Sequence, residues 1–132
     1  MLPIGLNHMT VPRLSARDML DMAVSLGCTG VELRNDLGRP LFDGEDAAQF
    51  GIAAKQAGIK ILALAEVKAF NANPLDNRDA ATALIKTAAS CGAEGVALIP
   101  LVADTMTSRA DQRHALRESL DVLQPILTDH RM

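Results

Sequence analysis

The chain repeats itself. Gly27-Cys28-Thr29-Gly30-Val31-Glu32-Leu33 aligns with Gly58-Ile59-Lys60-Ile61-Leu62-Ala63-Leu64 and with Gly92-Ala93-Glu94-Gly95-Val96-Ala97-Leu98, at intervals of 31 and 34 residues. Each copy joins a glycine able to end a helix to two linking residues and a short apolar strand. A period near 30 residues that alternates strand and helix is the βαβ unit, whose right-handed crossover makes neighbouring strands parallel. Strands are expected near 2–8, 29–34, 59–66 and 94–100.

The intervening segments carry helix signals. Ser15 with Asp18, and Ser108 with Asp111, have the form of capping boxes, while Asp43 and Asn77 are placed to cap the second and third helices. The apolar stripes are Leu20, Ala23, Val24 and Gly27; Phe50, Ala53, Ala54 and Ala57; Ala81, Leu84, Ile85 and Ala88; and Leu116, Leu120, Leu123 and Leu127. Pro125 is expected to bend or end the last of these helices. The order is therefore β-α-β-α-β-α-β-α.

Strand alternation puts Val31, Leu33, Leu62, Leu64, Val96 and Leu98 on the face that meets the helices. Glu32, Arg34, Ala63, Ala65, Ala97 and Ile99 fall on the other. In an open, doubly wound sheet that second face would be covered by helices, and two charged residues there would be costly. A closed barrel whose interior opens to a site accommodates them. The expected fold class is thus α/β: a (βα)4 half of a (βα)8 TIM barrel, forming one domain over 1–132.

Composition narrows the function. Net charge is −3, and Lys and Arg are scattered, so no basic stripe exists to neutralise phosphates; nucleic acid is not an expected partner. Aromatic residues are 2% of the chain, which leaves no stacking platform for bases. The N-terminus lacks the basic start of a signal peptide, and no apolar run approaches the roughly 20 residues of a membrane span, so a cytoplasmic protein is expected. Cys28 and Cys91 stand 63 residues apart without metal-ligand spacing around them and read as small apolar core residues.

Ligands of a βα barrel meet the C-terminal strand ends and the loops that follow. The candidates there are Asn7 and His8, Arg34 and Asn35, Glu66, Phe70 and Asn71, and Pro100. Structural uses compete with each. Glu32 and Arg34 can pair inside the barrel, Asn7 can satisfy strand-end backbone groups, and Glu66 can be solvated on a loop. A single His8 makes a weak metal ligand, and His114 and His130 are assigned to solvent. No nucleophile elbow, zincin motif or phosphate loop is present.

Leu6-Asn7-His8-Met9-Thr10, Gly30-Val31-Glu32-Leu33-Arg34, Ile61-Leu62-Ala63-Leu64-Ala65 followed by Phe70-Asn71, and Ala97-Leu98-Ile99-Pro100-Leu101-Val102 resemble, in order, the first four strands of the xylose-isomerase-like barrels. The pattern is most similar to the inosose (2-keto-myo-inositol) isomerases of inositol catabolism. The resemblance implies an eight-stranded barrel of about 250 residues, of which this chain is the N-terminal half, with strands five to eight absent. It implies a divalent metal held by Glu, Asp, His and Glu on those later strands, and a carbonyl shift along a small polyol or keto-sugar through an enediolate. The substrate-facing positions it carries over are Asn7, Glu32, Arg34 and Asn71; it assigns no role to His8 and supplies no catalytic or metal residue here. The isolated chain is then expected to be inactive, and to self-associate or join a complementary C-terminal half. A non-catalytic half-barrel remnant is the alternative. A DNA-repair endonuclease of the same superfamily is disfavoured by the acidic balance.

Overall fold

The computed structural model describes residues 2–101 and 108–132. Four strands, β1 (Gly5–Asn7), β2 (Gly30–Arg34), β3 (Lys60–Lys68) and β4 (Val96–Ile99), alternate with helices α1 (Ala16–Ser25), α2 (Ala47–Gln56), α3 (Pro74–Cys91) and α4 (Arg109–Asp129). The strands are all parallel and lie in the order β1-β2-β3-β4. This is the expected α/β alternation. The resemblance's Val102 lies outside the described residues.

Between the sheet and the helices lies the core. Val31, Leu33, Ile61, Leu64 and Val67 meet Met19, Leu20 and Ala23 of α1, Phe50 and Ala54 of α2, and Ala81, Leu84 and Ala88 of α3. Ser15 and Ser108 cap α1 and α4 as expected, each accepting from the backbone N–H three residues on and donating back to that residue's carboxylate. Gly27, Gly58 and Gly92 all have left-handed φ (69°, 72° and 71°), which explains why glycine recurs at the head of each repeat.

Several local expectations are corrected. Asp46, not Asp43, caps α2, accepting from the Gln49 N–H; Asp43 itself lies in a turn where Phe42, Asp43 and Gly44 all have positive φ. α3 begins at Pro74, three residues before Asn77, because proline suits the first helical position, where no N–H is needed. The Asn77 side chain instead donates to the Ala69 carbonyl. Helix α4 runs four residues past Pro125, so the proline does not end it. On α4 the buried stripe includes Ser119, whose hydroxyl is satisfied by the Ala115 carbonyl, while Leu120 is exposed; on α1 Val24 is exposed.

The larger correction concerns β3. Leu62 is an extra residue against β2, where Ile61 pairs with Val31 and Ala63 with Glu32. Glu66 is likewise extra against β4, where Ala65 pairs with Ala97 and Val67 with Leu98. These two bulges break the period of two, so the core face of β3 is Ile61, Leu64 and Val67 at intervals of three. Leu62 leaves the helix face and packs over Gly5 and Gly30, where a Cβ would stand 2.6 Å from its side chain. Those two glycines leave the space that Leu62 occupies.

Candidate functional site

On the face away from the helices, the N-terminal level is thus apolar, with Leu62 over Gly5 and Gly30. The C-terminal level is charged. Arg34, at the end of β2, donates from Nε and Nη2 to both carboxylate oxygens of Asp36, at 2.9 and 2.7 Å. The same Nη2 lies 3.1 Å from Glu66 Oε2. Lys68 completes the group, with Nζ 3.3 Å from Glu66 Oε1 and 3.5 Å from Asp36 Oδ2. Two cations therefore share two anions across the ends of β2 and β3.

Bulging is what delivers Glu66 to this group, and Asn35 fixes it. The Asn35 side chain accepts from the Glu66 N–H at 2.7 Å and donates to the Glu66 carbonyl at 3.1 Å, while its own N–H donates to the Ala65 carbonyl. One amide thus satisfies both backbone groups of the bulged residue, which the ladder with β4 leaves unpaired. The Glu66 side chain is 9% exposed, so it is not the solvated loop residue that sequence allowed. Lys68 is 69% exposed, with longer contacts.

Electrostatics follow the geometry. Hydrogen bonding from Arg34, opposed by partial burial and helped by Lys68, lowers the Asp36 carboxyl from 3.8 to about 2. The same bond to Asp36 raises Arg34, with weaker attractions from Glu66 and Glu32. A carboxyl held this low stays charged at neutral pH, so Asp36 remains the anionic partner of Arg34 there. A Glu32–Arg34 pair, one of the alternatives open in the sequence, is not formed: Arg34 is bonded to Asp36 and Glu66, and Glu32 acts on it only as a more distant charge.

The remaining site residues stand apart. Asn7 accepts from the Met9 N–H at 2.8 Å and so caps the turn that follows β1. Asn71 accepts from the Leu101 N–H at 2.6 Å, which ties the loop after β3 to the end of β4. His8 is buried: its Nε2 lies 3.0 Å from both the Leu14 carbonyl and Arg39 Nη2. Arg39 also donates to the Leu14 carbonyl and pairs with Asp43 at 2.9 Å, and Asp43 accepts from the Ala16 N–H at 2.6 Å. His8 and Arg39 therefore lock the loops after β1 and β2 together at the start of α1, a structural use.

Asp36, Lys68 and Arg39 were missed in the sequence. Lys68 sits two residues beyond Glu66 and would have been found had strand three been extended past 66, since alternate residues share a face. Asp36 sits two beyond Arg34 in the same way. Arg39 offers no local signal, because its partners come from other segments.

Among the described residues, no group of three or more His, Cys, Asp or Glu side chains is placed to hold a metal. The acids nearest the mouth, Asp36 and Glu66, are already bound to Arg34 and Lys68. The described residues thus supply no ligand set for a divalent ion, whose ligands the resemblance assigns to later strands. Cys28 and Cys91 are free thiols, and burial pushes Cys91 up. A cleft of about 370 Å³ lies at the opposite end of the sheet, lined by Gly51, Ala54, Ile59 and Cys91 and flanked by the Lys60–Glu94 pair. It sits at the strand N-termini, away from the end where barrel chemistry occurs. No helix among the described residues is long and apolar enough to cross a membrane.

No protein-family model and no curated protein matches the chain. Solved structures do. A xylose isomerase domain containing protein from Salmonella typhimurium LT2 aligns with a TM-score of 0.80 at 24% identity, over 92% of this chain and 45% of that one. The IolI protein with a bound zinc atom aligns at 0.76 and 16% identity, over 95% and 49%. The probable 3-DHS dehydratase AsbF of Bacillus anthracis, involved in petrobactin synthesis, aligns at 0.72 and 13%, over 99% and 50%. The chain spans about half the length of each. It therefore has the fold of about half of a TIM barrel: four parallel strands alternating with four helices.

Proposed function

We propose that this chain is the N-terminal, substrate-facing half of a sugar isomerase or epimerase, acting on a small polyol or keto-sugar of the inosose type. The observation that carries the reading is the Arg34–Asp36–Glu66–Lys68 quartet at the C-terminal strand ends. Its cations donate and its carboxylates accept within one small area, the pairing that vicinal hydroxyls require. Arg34 and Glu32 supply contacts from the barrel wall; Asn7 and Asn71 hold the loops of the mouth in place while leaving further amide valence for substrate oxygens. Because the quartet carries equal numbers of opposite charges, an uncharged polyol meets it without an unpaired charge.

The reaction needs groups that a further set of strands must supply. Proton transfer at the carbonyl and the divalent ion belong to those strands, and the contribution of this half is to bind and orient. A non-catalytic half-barrel, the alternative, would retain the quartet as a structural ion-pair network alone.

The two readings separate on a titration. Adding inosose to ¹⁵N-labelled protein should shift the Arg34 side-chain and Asn71 resonances together, in a saturable way. Unchanged resonances through millimolar ligand, or shifts scattered over the helices, would leave the quartet a structural network and sink the binding role.

A further inference from the structure

Two neighbours at the end of β2 hold Glu66 in different ways. Arg34 holds its carboxylate, with Nη2 3.1 Å from Oε2. Asn35 holds its backbone, accepting from the N–H at 2.7 Å and donating to the carbonyl at 3.1 Å. We propose that Asn35 is the positioning residue of the mouth: without touching a ligand, it sets ligand affinity by fixing the direction of the Glu66 carboxylate. The proposal deepens the substrate reading given above and rests on it for the ligand, while the placement of Glu66 is open to test without one.

Backbone geometry gives the reason. The Glu66 N–H belongs to the peptide group before its Cα, and the carbonyl to the peptide group after it. Once both groups are held, the Cα–Cβ bond between them has one direction. Along a regular strand the neighbouring strands do this through the ladder. At Glu66 the ladder fails, because Ala65 pairs with Ala97 and Val67 with Leu98, and β4 passes the bulged residue by. The Asn35 amide stands in for the partner that β4 does not supply.

The residue type fits this duty. An amide side chain presents a donor and an acceptor side by side, as a peptide group does. Asp would lack the donor, Ser and Thr offer a single oxygen, and Gln carries its amide one methylene further out. The Asn35 N–H donates to the Ala65 carbonyl at 2.7 Å, so the residue that holds Glu66 is itself tied to β3.

Charge makes the direction matter. Glu66 Oε2 meets Arg34 and Oε1 meets Lys68 at 3.3 Å, so one carboxylate joins both cations of the mouth. Turned away, it would leave Arg34 with Asp36 alone. Asn35 is an exposed residue at the bend after β2, and removing its side chain opens no hole in the core. Its loss therefore acts on the mouth more than on folding.

The test joins a ligand-free readout to an affinity cycle. In ¹⁵N-labelled protein without ligand, Asn35→Ala should move the Arg34 side-chain resonances in the direction that Glu66→Gln moves them. Circular dichroism should be preserved, with Tm lower by only a few degrees. Inosose affinity should fall about tenfold in Asn35→Ala, the worth of one hydrogen bond to a charged group. The double variant Asn35→Ala/Glu66→Gln should bind no more weakly than Glu66→Gln alone, since the first residue acts through the second. Asn35→Ser, whose hydroxyl cannot reach both backbone groups, should repeat the Asn35→Ala results. Arg34 resonances that stay in place in both Asn35 variants would overturn the proposal. So would affinity losses that add in the double variant, which would make Asn35 a direct ligand contact. A wild type that ignores inosose would sink the substrate reading alone, and the Arg34 resonances would still decide whether Asn35 places Glu66.

Discussion

Replacing Gly51 with alanine should destabilise the protein, against what helix propensity alone dictates. Gly51 lies in the middle of α2, where alanine ordinarily gains about 1 kcal/mol over glycine. Here a Cβ would stand 2.3 Å from the Cys91 carbonyl oxygen, 2.8 Å from its carbon and 2.9 Å from its Cα. All three are backbone atoms at the end of α3, so no rotamer change relieves the contact. The two helices must part by about 1 Å, enough to forfeit a quarter to a half of the dispersion energy of each affected contact. Phe50, adjacent to Gly51 and fully buried, moves with α2. Overpacking of this kind costs about 3 kcal/mol at its upper end; subtracting the propensity gain leaves about 2 kcal/mol. For a chain of this length that is a fall in Tm of about 7 °C.

Calorimetry or thermal circular dichroism reads this directly, and urea unfolding should show a lower midpoint with an unchanged slope. Gly58→Ala supplies the contrast. That glycine has φ of 72° and nothing within 4 Å of its would-be Cβ, so only the backbone preference, about 1 kcal/mol, is lost. Gly51→Ala melting at or above wild type would refute the close approach of α2 and α3 and the steric reasoning with it.

Other substitutions probe the mouth and its supports. Asp36 has a folded pKa depressed to about 2 from 3.8, so its stabilising contribution is complete above pH 3.8 and is lost as pH falls toward 2. Asp36→Asn should therefore flatten the acid limb of the Tm-versus-pH curve, and an unchanged limb would mean the Arg34 contact is absent in solution. Arg34→Ala should remove the response to inosose while lowering Tm by only a few degrees; equal thermal loss with unchanged affinity would make Arg34 structural. Asp43→Ala should cost about 1–2 kcal/mol through the lost Ala16 and Arg39 contacts and the left-handed backbone, whereas Asp43→Asn, which tolerates that backbone and keeps an acceptor, should cost less. Zinc should not raise the Tm of the purified chain, and no inosose turnover should accompany it. Turnover that scales with metal would show that a ligand set assembles after all.

The repeat was legible because it is built from glycines with a backbone duty: Gly27, Gly58 and Gly92 each end a helix with positive φ, and apolar strands follow at fixed distance. Ser15 and Ser108 were legible because a capping box is complete within four residues. Asp43 and Asn77 were misread because Asp46 and the Asn73-Pro74 step lay within four residues and offered equally good starts, and the winner is set by where the loop from the preceding strand lands. The site was legible only as a level of the barrel. Arg34 and Glu66 could be placed near strand ends, but their contact depends on a bulge, and one inserted residue leaves no mark in composition or periodicity over so short a strand. Alternation along β2 put Glu32 and Arg34 on one face, but the acids that hold Arg34 lie past the strand end and across the sheet, where no local pattern shows them.

The bulge at Glu66 also bears on how such a mouth can change over generations. Against β4 the residues on either side of it, Ala65 and Val67, pair with successive positions, so Glu66 is a single supernumerary codon in an otherwise regular ladder. Its loss would remove the acid while Val67 and Lys68 kept their partners, and a gain elsewhere in the strand would install a new side chain at the same level. A lineage carrying this sheet can thus rewrite its ligand chemistry by one-residue insertions and deletions, without touching the buried layer of Ile61, Leu64 and Val67.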